Sequence, residues 1–549
     1  MTILKLTEQQ KNAVDYQDGS AVITACPGSG KTTVVKEKVR ALTPMLPSYK
    51  GVIGISFTNK ASTELRQKCE ANGHDTKASF FGTIDSFCFS ELIAPFLERL
   101  WGGQVAGCEI VKKLTEDHLS QLSQNYQAPT LEDVMNDGGF NSLYEQNVLW
   151  MSSFSGLALF VLKNSEGARR YIKARYTHVF VDEYQDSSLA QHELFLELVE
   201  LGLVGIAVGD NDQSIYGFRG GDPKLLEELT REGSGFKHFE IDLNHRSHPS
   251  IVNYASRLKR PTCNLVEHEE GDLRVVRLVM EGWLPTCAST VSDLISEWIA
   301  GKKFKVEKAS DIAILAKTER ILKLVSENLE VPNRLYVDDK LNAIGTTASD
   351  FLTALIEYKY GKIVSAQEIC DKFARNSSPN IRRKSSYARE QVRMLKQEED
   401  HTRLVTIASE LITLFDLEVK SGELEVFAEI LLDDLALKSY KPINREEVQI
   451  MTLHKSKGLE FKVVLHFGLE EWNFPYRRYT GDWNDPPQYP DLQQEMNLHY
   501  VGITRAEELC VLCQSELREN SRGELKTSAP SYFLSLVQLN GLFINSLPS

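Results

Sequence analysis

The sequence lacks any uninterrupted apolar run of the ~18 to 20 residues that a membrane-spanning helix requires. Its first ten residues, MTILKLTEQQ, also lack the charged region, apolar core and small-residue cleavage site of a secretory signal peptide. From these two absences we expect no membrane span and no signal peptide.

Cysteine is scarce, with nine residues scattered along a chain of 549. An odd, scattered set does not form a disulfide framework and fits a reducing cytoplasm, so we expect a cytoplasmic protein. Cys510 and Cys513 form a C-x-x-C pair inside the apolar run ELCVLCQ, but no second pair lies at a spacing that suits a zinc site. We interpret both as residues of a buried strand rather than as metal ligands.

A net positive charge is also absent, because 62 Lys and Arg stand against 76 Asp and Glu and give a net charge of −14. This excludes a wholly basic surface for nucleic acid. It does not exclude a local basic groove, because net charge averages over surfaces that never touch the ligand. The length predicts several domains, at roughly 150 residues each.

A phosphate-binding loop is the clearest positive signal. In VITACPGSGKTTVV, residues 22–35, a short apolar strand precedes a turn of small residues and the start of a helix. This geometry aims backbone N–H groups at an anion. The spacing fits a Walker A loop with Ala25 in place of the first glycine, and it favours a nucleoside triphosphate site over a simple glycine turn. The expected binding residues are Ala25, Cys26, Pro27, Gly28, Ser29, Gly30, Lys31, Thr32 and Thr33.

Two acidic residues end another predicted strand, in HVFVDEYQDSS, residues 178–188. Asp182 is suited to hold Mg²⁺ through water, together with the hydroxyl of Thr32. Glu183 is suited to orient and deprotonate the attacking water. Acidic pairs at strand ends are common, but together with the phosphate loop this pair predicts nucleotide hydrolysis.

The segment AVGDNDQSIYGFRGGD, residues 207–222, follows a further apolar stretch. Gln213 carries an uncharged amide that could contact both the γ-phosphate and the attacking water. Phe218 and Arg219 place an aromatic ring beside a cation, which suits a base and a phosphate of a single strand. For Tyr216 and Phe218, ordinary core packing is an equally good interpretation.

The order of these segments resembles the UvrD, Rep and PcrA family of superfamily 1A DNA helicases. The matching segments are LTEQQ from residue 6, ACPGSGKTT, SFTNKASTELRQK from residue 56, FGTIDSF from residue 81, VDEYQDSS, VGDNDQSIYGFRGG, LNHRSHPSIV from residue 243, residues 448–475, and HYVGITRAEE from residue 499. The resemblance implies an α/β fold with two RecA-like parallel-sheet motor domains, 1A and 2A, and mainly helical inserted subdomains, 1B and 2B.

Apolar strands that alternate with helical patterns suggest where these domains lie. The 2B segment is short for the family, at roughly a hundred residues on our boundaries. The expected ranges are 1–89 and 173–244 for 1A, 90–172 for 1B, 245–344 and 446–549 for 2A, and 345–445 for 2B.

The resemblance also implies roles in binding ATP and Mg²⁺. Arg246 in NHRS and Arg505 in GITRA match arginines that reach the phosphates across the cleft, and arginine suits this role because its charge is permanent and its fork binds two oxygens. Glu460 matches a residue that meets the ribose or phosphate end, and Gln10 matches the glutamine that reads adenine. The expected catalytic set is Lys31, Glu183, Gln213, Arg246 and Arg505.

Two positions around the base depart from the family. Thr33 stands where relatives usually have arginine, and His245 stands where they usually have tyrosine. Both are positions that would sandwich adenine, so we expect weaker stacking on the base and an adenine preference that depends on Gln10.

The family's track for single-stranded DNA and for junctions with duplex implies a further set of residues. They are Phe57, Thr58, Asn59, Lys60, Thr83, Tyr216, Phe218, Arg219, Thr452, His454 and Lys455. Relatives carry a strand-separating hairpin just after the segment that ends here in EEWNFPYRR. Trp472, Phe474 and Tyr476 are therefore candidates to stack on the first base pair, and a packed strand and turn is a nearly equal alternative.

Two functional hypotheses follow. The first is an ATP-dependent single-stranded-DNA translocase and 3′–5′ DNA helicase, whose direction is implied by the resemblance alone. The second is a DNA-end-sensing ATPase subunit that gates a partner nuclease and unwinds little by itself. The short 2B segment motivates the second, since small UvrD-like proteins occur beside nucleases in antiphage systems such as Gabija. The sequence does not choose between repair and defence.

Overall fold

The computed structural model of the chain describes residues 6–337, 340–374, 379–417, 419, 422–482, 485–520 and 522–547. Its strands are β1 (Ala21–Ala25), β2 (Gly51–Ile55), β3 (Phe80–Gly82), β4 (Glu109–Val111), β5 (Val148–Trp150), β6 (Tyr176–Val181), β7 (Val204–Gly209), β8 (Lys237–Ile241), β9 (Val275–Met280), β10 (Ile312–Ala316), β11 (Asn333–Leu335), β12 (Val448–Thr452), β13 (Phe461–His466), β14 (Ala506–Ser515), β15 (Leu517–Glu519) and β16 (Leu525–Thr527).

Helices connect these strands and form two largely helical segments. They are α1 (Glu8–Asp15), α2 (Lys31–Leu42), α3 (Asn59–Glu70), α4 (Ile84–Phe87), α5 (Ala94–Phe96), α6 (Glu98–Trp101), α7 (Glu116–Leu119), α8 (Leu131–Asn136), α9 (Gly139–Glu145), α10 (Phe154–Asn164), α11 (Glu166–Arg175), α12 (Leu189–Glu200), α13 (Lys224–Thr230), α14 (Pro249–Lys259), α15 (Leu284–Gly301), α16 (Glu319–Asn328), α17 (Lys340–Ile344), α18 (Thr347–Lys359), α19 (Ala366–Ala374), α20 (Pro379–Met394), α21 (His401–Leu414), α22 (Glu423–Leu432), α23 (Asp434–Lys438) and α24 (Leu492–Ile503).

Two six-stranded sheets form the framework, and every strand pair within each sheet is parallel. The first sheet has the order β3-β2-β6-β7-β1-β8, and the second has the order β11-β12-β10-β13-β14-β9. The first sheet, with its helices, is called the first half below, and the second sheet, with its helices, the second half. The predicted α/β class with two parallel-sheet units and mainly helical insertions is confirmed.

Both faces of each sheet are covered, which explains why the strands read as apolar runs instead of alternating patterns. In β6, Val179 packs with α10 and α12 on one face, and Phe180 packs with α2 and α3 on the other. In the second sheet, Ile314 faces α15 and α16, whereas Leu315 faces α14 and α24.

The segment between β3 and β6 is mainly helical, as predicted, but it also contains a small parallel pair, β4 with β5. The helices from α17 to α23 enclose a separate apolar core. The domain boundaries given above stay predictions.

Cys510 and Cys513 lie in β14 and are fully buried, as expected for strand residues. Within the described ranges, no group of three or more His, Cys, Asp or Glu side chains could hold a metal ion. Nor does any helix of those ranges combine the length and apolar character needed to cross a membrane.

The core of the α17–α23 segment gives a test of its packing. Phe351 is fully buried, with its ring centroid 4.9 Å from that of Phe373 and 5.1 Å from that of Phe415. We expect Phe351→Ala to destabilise this segment by about 3–5 kcal/mol, because the substitution would remove both ring contacts and leave a cavity. Thermal and urea unfolding followed by circular dichroism would measure the loss. Val364→Ala is the control, since Val364 is 79% exposed, and equal unfolding of the two variants would contradict the assigned core.

Candidate functional site

The phosphate-binding loop lies where the sequence places it, between the end of β1 at Ala25 and the start of α2 at Lys31. Gly28 and Gly30 have φ angles of 71° and 85°, in the left-handed region that favours glycine. A Cβ atom on Gly28 would lie 2.6 Å from the Cβ of Arg246. No side chain caps the N-terminus of α2. The loop therefore needs its glycines and presents backbone N–H groups to an anion.

The charged and hydroxyl groups of this loop lie at the first turn of α2. Lys31 Nζ donates to the backbone carbonyl of Ala25 at 3.1 Å and lies 3.9 Å from Asp210 Oδ2. Thr32 and Thr33 follow on the same helical turn and are half-buried. The ammonium thus lies across the loop, and a bound phosphate would replace the Ala25 carbonyl as its partner.

The other loop residues are held by local hydrogen bonds. Ser29 Oγ donates to the Cys26 carbonyl at 2.7 Å, and the Cys26 thiol donates to the Asp242 carbonyl at 3.1 Å. Burial and the charge of Asp210 raise the pKa of Cys26 to about 11, so the thiol is neutral at physiological pH. Pro27 is buried.

The predicted base pocket contains Gln10 and His245. Gln10 is buried, its Nε2 donates to the Ser29 carbonyl at 2.8 Å, and its Oε1 accepts from the Thr7 N–H at 2.9 Å. The backbone N–H of His245 donates to the Gly28 carbonyl at 3.0 Å, while its side chain is exposed. The Ser29 carbonyl therefore takes one N–H of the Gln10 amide, which leaves the second N–H for a base.

Asp182 and Glu183 follow β6, and both are close to cations from the two sheets. Burial and the charge of Glu183 raise the pKa of Asp182. Burial acts in the same direction on Glu183, but the charges of Lys457 and Lys31 outweigh it and lower the pKa of Glu183. Gln185 Nε2 also donates to Glu183 Oε2 at 2.6 Å. Glu183 is thus ionised at neutral pH, as a proton acceptor must be.

Lys457 is a site residue that sequence reasoning missed. Its Nζ donates to Asp186 and, at 2.7 Å, to the Gln213 carbonyl, and it lies 3.8 Å from Glu183 Oε2. The available signal was its place in HKSKG, two residues after Lys455. Lys455 instead directs its ammonium to Glu319 at 3.2 Å, so its role on DNA stays a prediction.

Gln213 joins the two halves directly. Its Nε2 donates to Asp210 Oδ2 at 2.7 Å, and its Oε1 accepts from Arg505 Nη2 at 2.9 Å. Arg505 is 2% exposed, and burial lowers its pKa to about 10, which still leaves it charged at neutral pH. Arg246 pairs with Glu460 at 2.8 Å. The two predicted arginines therefore line the same cleft as the phosphate loop.

An aromatic surface crosses from the first half to the second. The rings of Phe57 and Tyr216 stack with centroids 4.6 Å apart, and Phe218 meets His454 edge-on at 5.8 Å. The Arg219 guanidinium lies 5.3 Å and 5.5 Å from the ring centroids of Tyr216 and Phe218. Phe218 is 54% exposed, so it is not a core residue. Phe57 and Tyr216 are half-buried, and Tyr216 also packs against the apolar core of the second half. The exposed Phe218 ring beside Arg219 suits a base and a phosphate of a single strand.

Three of the predicted DNA-contacting hydroxyls already serve the backbone. Thr58 and Thr83 cap α3 and α4, where they accept from the N–H groups three residues on, and Thr452 accepts from the Lys455 N–H at 3.3 Å. Asn59 and Lys60 are exposed at the start of α3. These hydroxyls fix the starts of α3 and α4 and the turn after β12.

For Phe474, the structure supports the packed alternative to the strand-separation hypothesis. Phe474 is 1% exposed and packs against the rings of His466, His499 and Phe533, so it cannot stack on a base pair. Its apolar ring fills the core of the second half. Tyr476 remains 49% exposed. The Trp472 ring is half-buried and is covered by the Arg477 guanidinium at 4.4 Å.

Comparison with known families fits this geometry. The family model of the UvrD/REP helicase N-terminal domain matches residues 6–99 and 108–233, and that of the UvrD-like helicase C-terminal domain matches residues 349–516. The chain belongs to the UvrD-like helicase family. Membership implies an ATP-dependent helicase that acts on DNA.

Individual relatives are distant but cover nearly the whole chain. The Gabija protein GajB of Bacillus cereus strain VD045 is 25% identical over 506 residues, which cover 90% of this chain and 92% of GajB. The DNA helicase PcrA of Bacillus subtilis strain 168 is 25% identical, with 93% of this chain and 83% of PcrA covered. The helicase Rep of Escherichia coli K12 is 22% identical, with 97% and 94% covered.

The close approach of Gly28 to Arg246 gives a test of the loop. We expect Gly28→Ala to weaken ATP binding about tenfold or more, because the left-handed φ and the clash would distort the phosphate-binding N–H groups. Isothermal titration calorimetry with ATP would measure the change. Gly233→Ala is the matched control, since Gly233 has a φ of 86° but open space around it. Wild-type ATP affinity in a folded Gly28→Ala protein would contradict this assignment.

Proposed function

We propose that the chain is an ATP-dependent single-stranded-DNA translocase and 3′–5′ DNA helicase. The observation that carries the proposal is the loop after β7. It places Gln213 against Arg505 of the second half and, three residues on, Tyr216 in ring contact with Phe57 and His454. One short loop therefore connects the candidate hydrolysis site with the candidate strand-binding surface.

The residues around the loop after β1 fit ATP with Mg²⁺. Thr32 supplies a hydroxyl and Asp182 a carboxylate, both oxygen donors of the kind that Mg²⁺ prefers. The ion would neutralise charge on the β- and γ-phosphates. Lys31 would exchange the Ala25 carbonyl for a phosphate oxygen, and the N–H groups at the start of α2 would hold the remaining phosphate oxygens.

Hydrolysis then depends on groups from both halves. Glu183 accepts a proton from the attacking water, and Gln213 orients that water through its amide. Arg246 and Arg505 stabilise the charge that develops on the transferred phosphoryl group. Since Arg505 already contacts Gln213, a shift of the second half relative to the first would displace both groups together.

Movement along the DNA strand would involve the part of the loop after β7 that carries Tyr216. Phe57 and Tyr216 belong to the first half, whereas His454 belongs to the second, so relative movement of the halves would change the spacing of the stacking surfaces. Stacking on aromatic rings is tolerant of sequence, which suits a motor that passes along any strand. The direction of movement rests on family membership.

A change at Glu183 separates chemistry from binding. We expect Glu183→Gln to lower steady-state ATP hydrolysis by ~10²-fold or more while ATP still binds, because the amide keeps the shape and removes the base. Phosphate release and calorimetric ATP binding would be measured on the same preparation. Glu232→Gln, in an exposed loop, is the control for loss of one carboxylate. Normal turnover by Glu183→Gln would remove this residue from the mechanism.

The polarity of unwinding needs a separate assay. Partial duplexes with a 3′ or a 5′ single-stranded overhang would be offered with ATP, and release of the labelled strand would be followed over time. We expect release from the 3′-tailed substrate alone. Release from 5′ tails alone would reverse the assigned direction, and Glu183→Gln is the control for ATP dependence.

A second proposal is favoured by the similarity to GajB, which is matched over 92% of its length. In this version the chain is a DNA-sensing ATPase subunit that gates a partner nuclease and unwinds little by itself. Robust DNA-dependent ATP turnover without strand release from either tail would favour it over the first proposal, as would co-purification with a nuclease.

A further inference from the structure

A second polar connection joins the two halves beside the bond between Gln213 and Arg505. Lys259 is the last residue of α14, and its side chain is 5% exposed. Its Nζ lies 3.5 Å from Asp212 Oδ1 and donates to the side-chain oxygen of Asn497 on α24. A buried ammonium needs such partners, because burial without them is costly.

Asn497 extends this connection to the backbone of the loop after β7. Its Nδ2 donates to the Ser214 carbonyl at 2.8 Å, and Gln494, one turn earlier on α24, donates to the Ile215 carbonyl at 3.4 Å. Asn497 is 6% exposed. Lys259 and Asn497 therefore hold the loop by one carboxylate and one carbonyl. We call these two residues the loop anchor.

The loop anchor acts on a turn that also belongs to the hydrolysis site. Asp210 Oδ1 accepts from the Asp212 N–H at 3.0 Å, and Asp210 Oδ2 accepts from Gln213 Nε2 at 2.7 Å. Burial raises the pKa of Asp210, and the charge of Asp212 raises it further. Without Lys259, Asp212 would lose the nearer of two cations, Arg260 being the other, and the turn that presents Gln213 would be held less firmly.

We propose that Lys259 and Asn497 are positioning residues that couple strand binding to ATP hydrolysis. They fix Asp212 and Ser214 on either side of Gln213, and Tyr216 lies two residues after Ser214. When a base stacks on Tyr216, the loop can then move Gln213 only together with α14 and α24. The inference rests on the proposed function, because it assigns the route by which DNA stimulates ATP turnover.

The test compares Lys259→Met and Asn497→Leu with the wild type in ATP hydrolysis over a range of single-stranded DNA concentrations. We expect the maximal DNA stimulation of kcat to fall at least about fivefold in both variants, while the affinity for ATP without DNA stays within about twofold of wild type. Lys259→Arg keeps the charge and should retain most of the stimulation. Lys237→Met is the matched control, since Lys237 is exposed on β8.

A second readout separates positioning from general stability. Amide hydrogen exchange without DNA should become faster at residues 211–216 in Lys259→Met and Asn497→Leu, with the sheets as protected as in wild type. Unchanged DNA stimulation, or unchanged exchange of this loop, in both variants would overturn the inference. The inference would also be overturned if amide exchange became faster throughout the protein in both variants and Lys259→Arg showed the same general loss of protection.

Failure of the proposed function would look different. A wild-type protein whose ATP turnover does not respond to DNA would contradict the proposed motor before any variant is compared. The loop anchor would then be judged by hydrogen exchange alone, with equal exchange in wild type and variants counting against it and faster exchange in the variants supporting it.

Discussion

The burial of carboxylates between the two halves is the constraint on which the site depends. Asp182, Glu183 and Asp186 lie within five residues of one another after β6, and each is at least partly buried. Such charges are stable in a protein interior only when cations and hydrogen bonds compensate them. Lys31 from the first half and Lys457 from the second supply that compensation. The acidic cluster therefore attracts the second half to the first.

Arg505 is a buried cation in the same cleft, and it has no directly bound carboxylate among the described residues. Among the described residues its hydrogen bonds go to neutral acceptors, namely the carbonyls of Val501 and Leu459, the hydroxyl of Thr504 and the amide of Gln213. A buried guanidinium without a directly bound carboxylate retains its capacity for an anion. A γ-phosphate in the cleft would complete this cation, just as it would replace the Ala25 carbonyl at Lys31. Each half thus presents a cation to the same region, Lys31 beside Asp210 and Arg505 without a directly bound carboxylate.

Local chemistry explains which parts were predictable from the sequence. The glycines around Gly28, the lysine at a helix start and the acids after an apolar strand are short patterns whose geometry the backbone imposes. Lys457 and Asp186 are 271 residues apart and meet only because the two halves pack together. Lys259 and Asn497 are 238 residues apart and meet because α14 and α24 pack on the same face of the second sheet. Phe474 shows a similar limit of sequence-based prediction, since an aromatic segment has the same sequence pattern on a surface as in a core. The three-residue strands β4 and β5 are too short to show a period.

The length of the loop after β7 makes coupling between the two sites a matter of geometry. Gln213 and Tyr216 are three residues apart, so their Cα atoms lie within about 10 Å of each other whatever the loop conformation. A displacement of the ring by a base must therefore move the amide unless the residues between them absorb it. Ser214 and Ile215 are held by α24, which limits how much of the displacement these two residues can absorb. Hydrogen bonds are only part of this attachment, because the Ile215 side chain is fully buried in the apolar core that α14 and α24 form with the second sheet. Polar and apolar contacts together thus attach this short loop to the second half, so that the Tyr216 ring and the Gln213 amide are expected to move together when the halves shift.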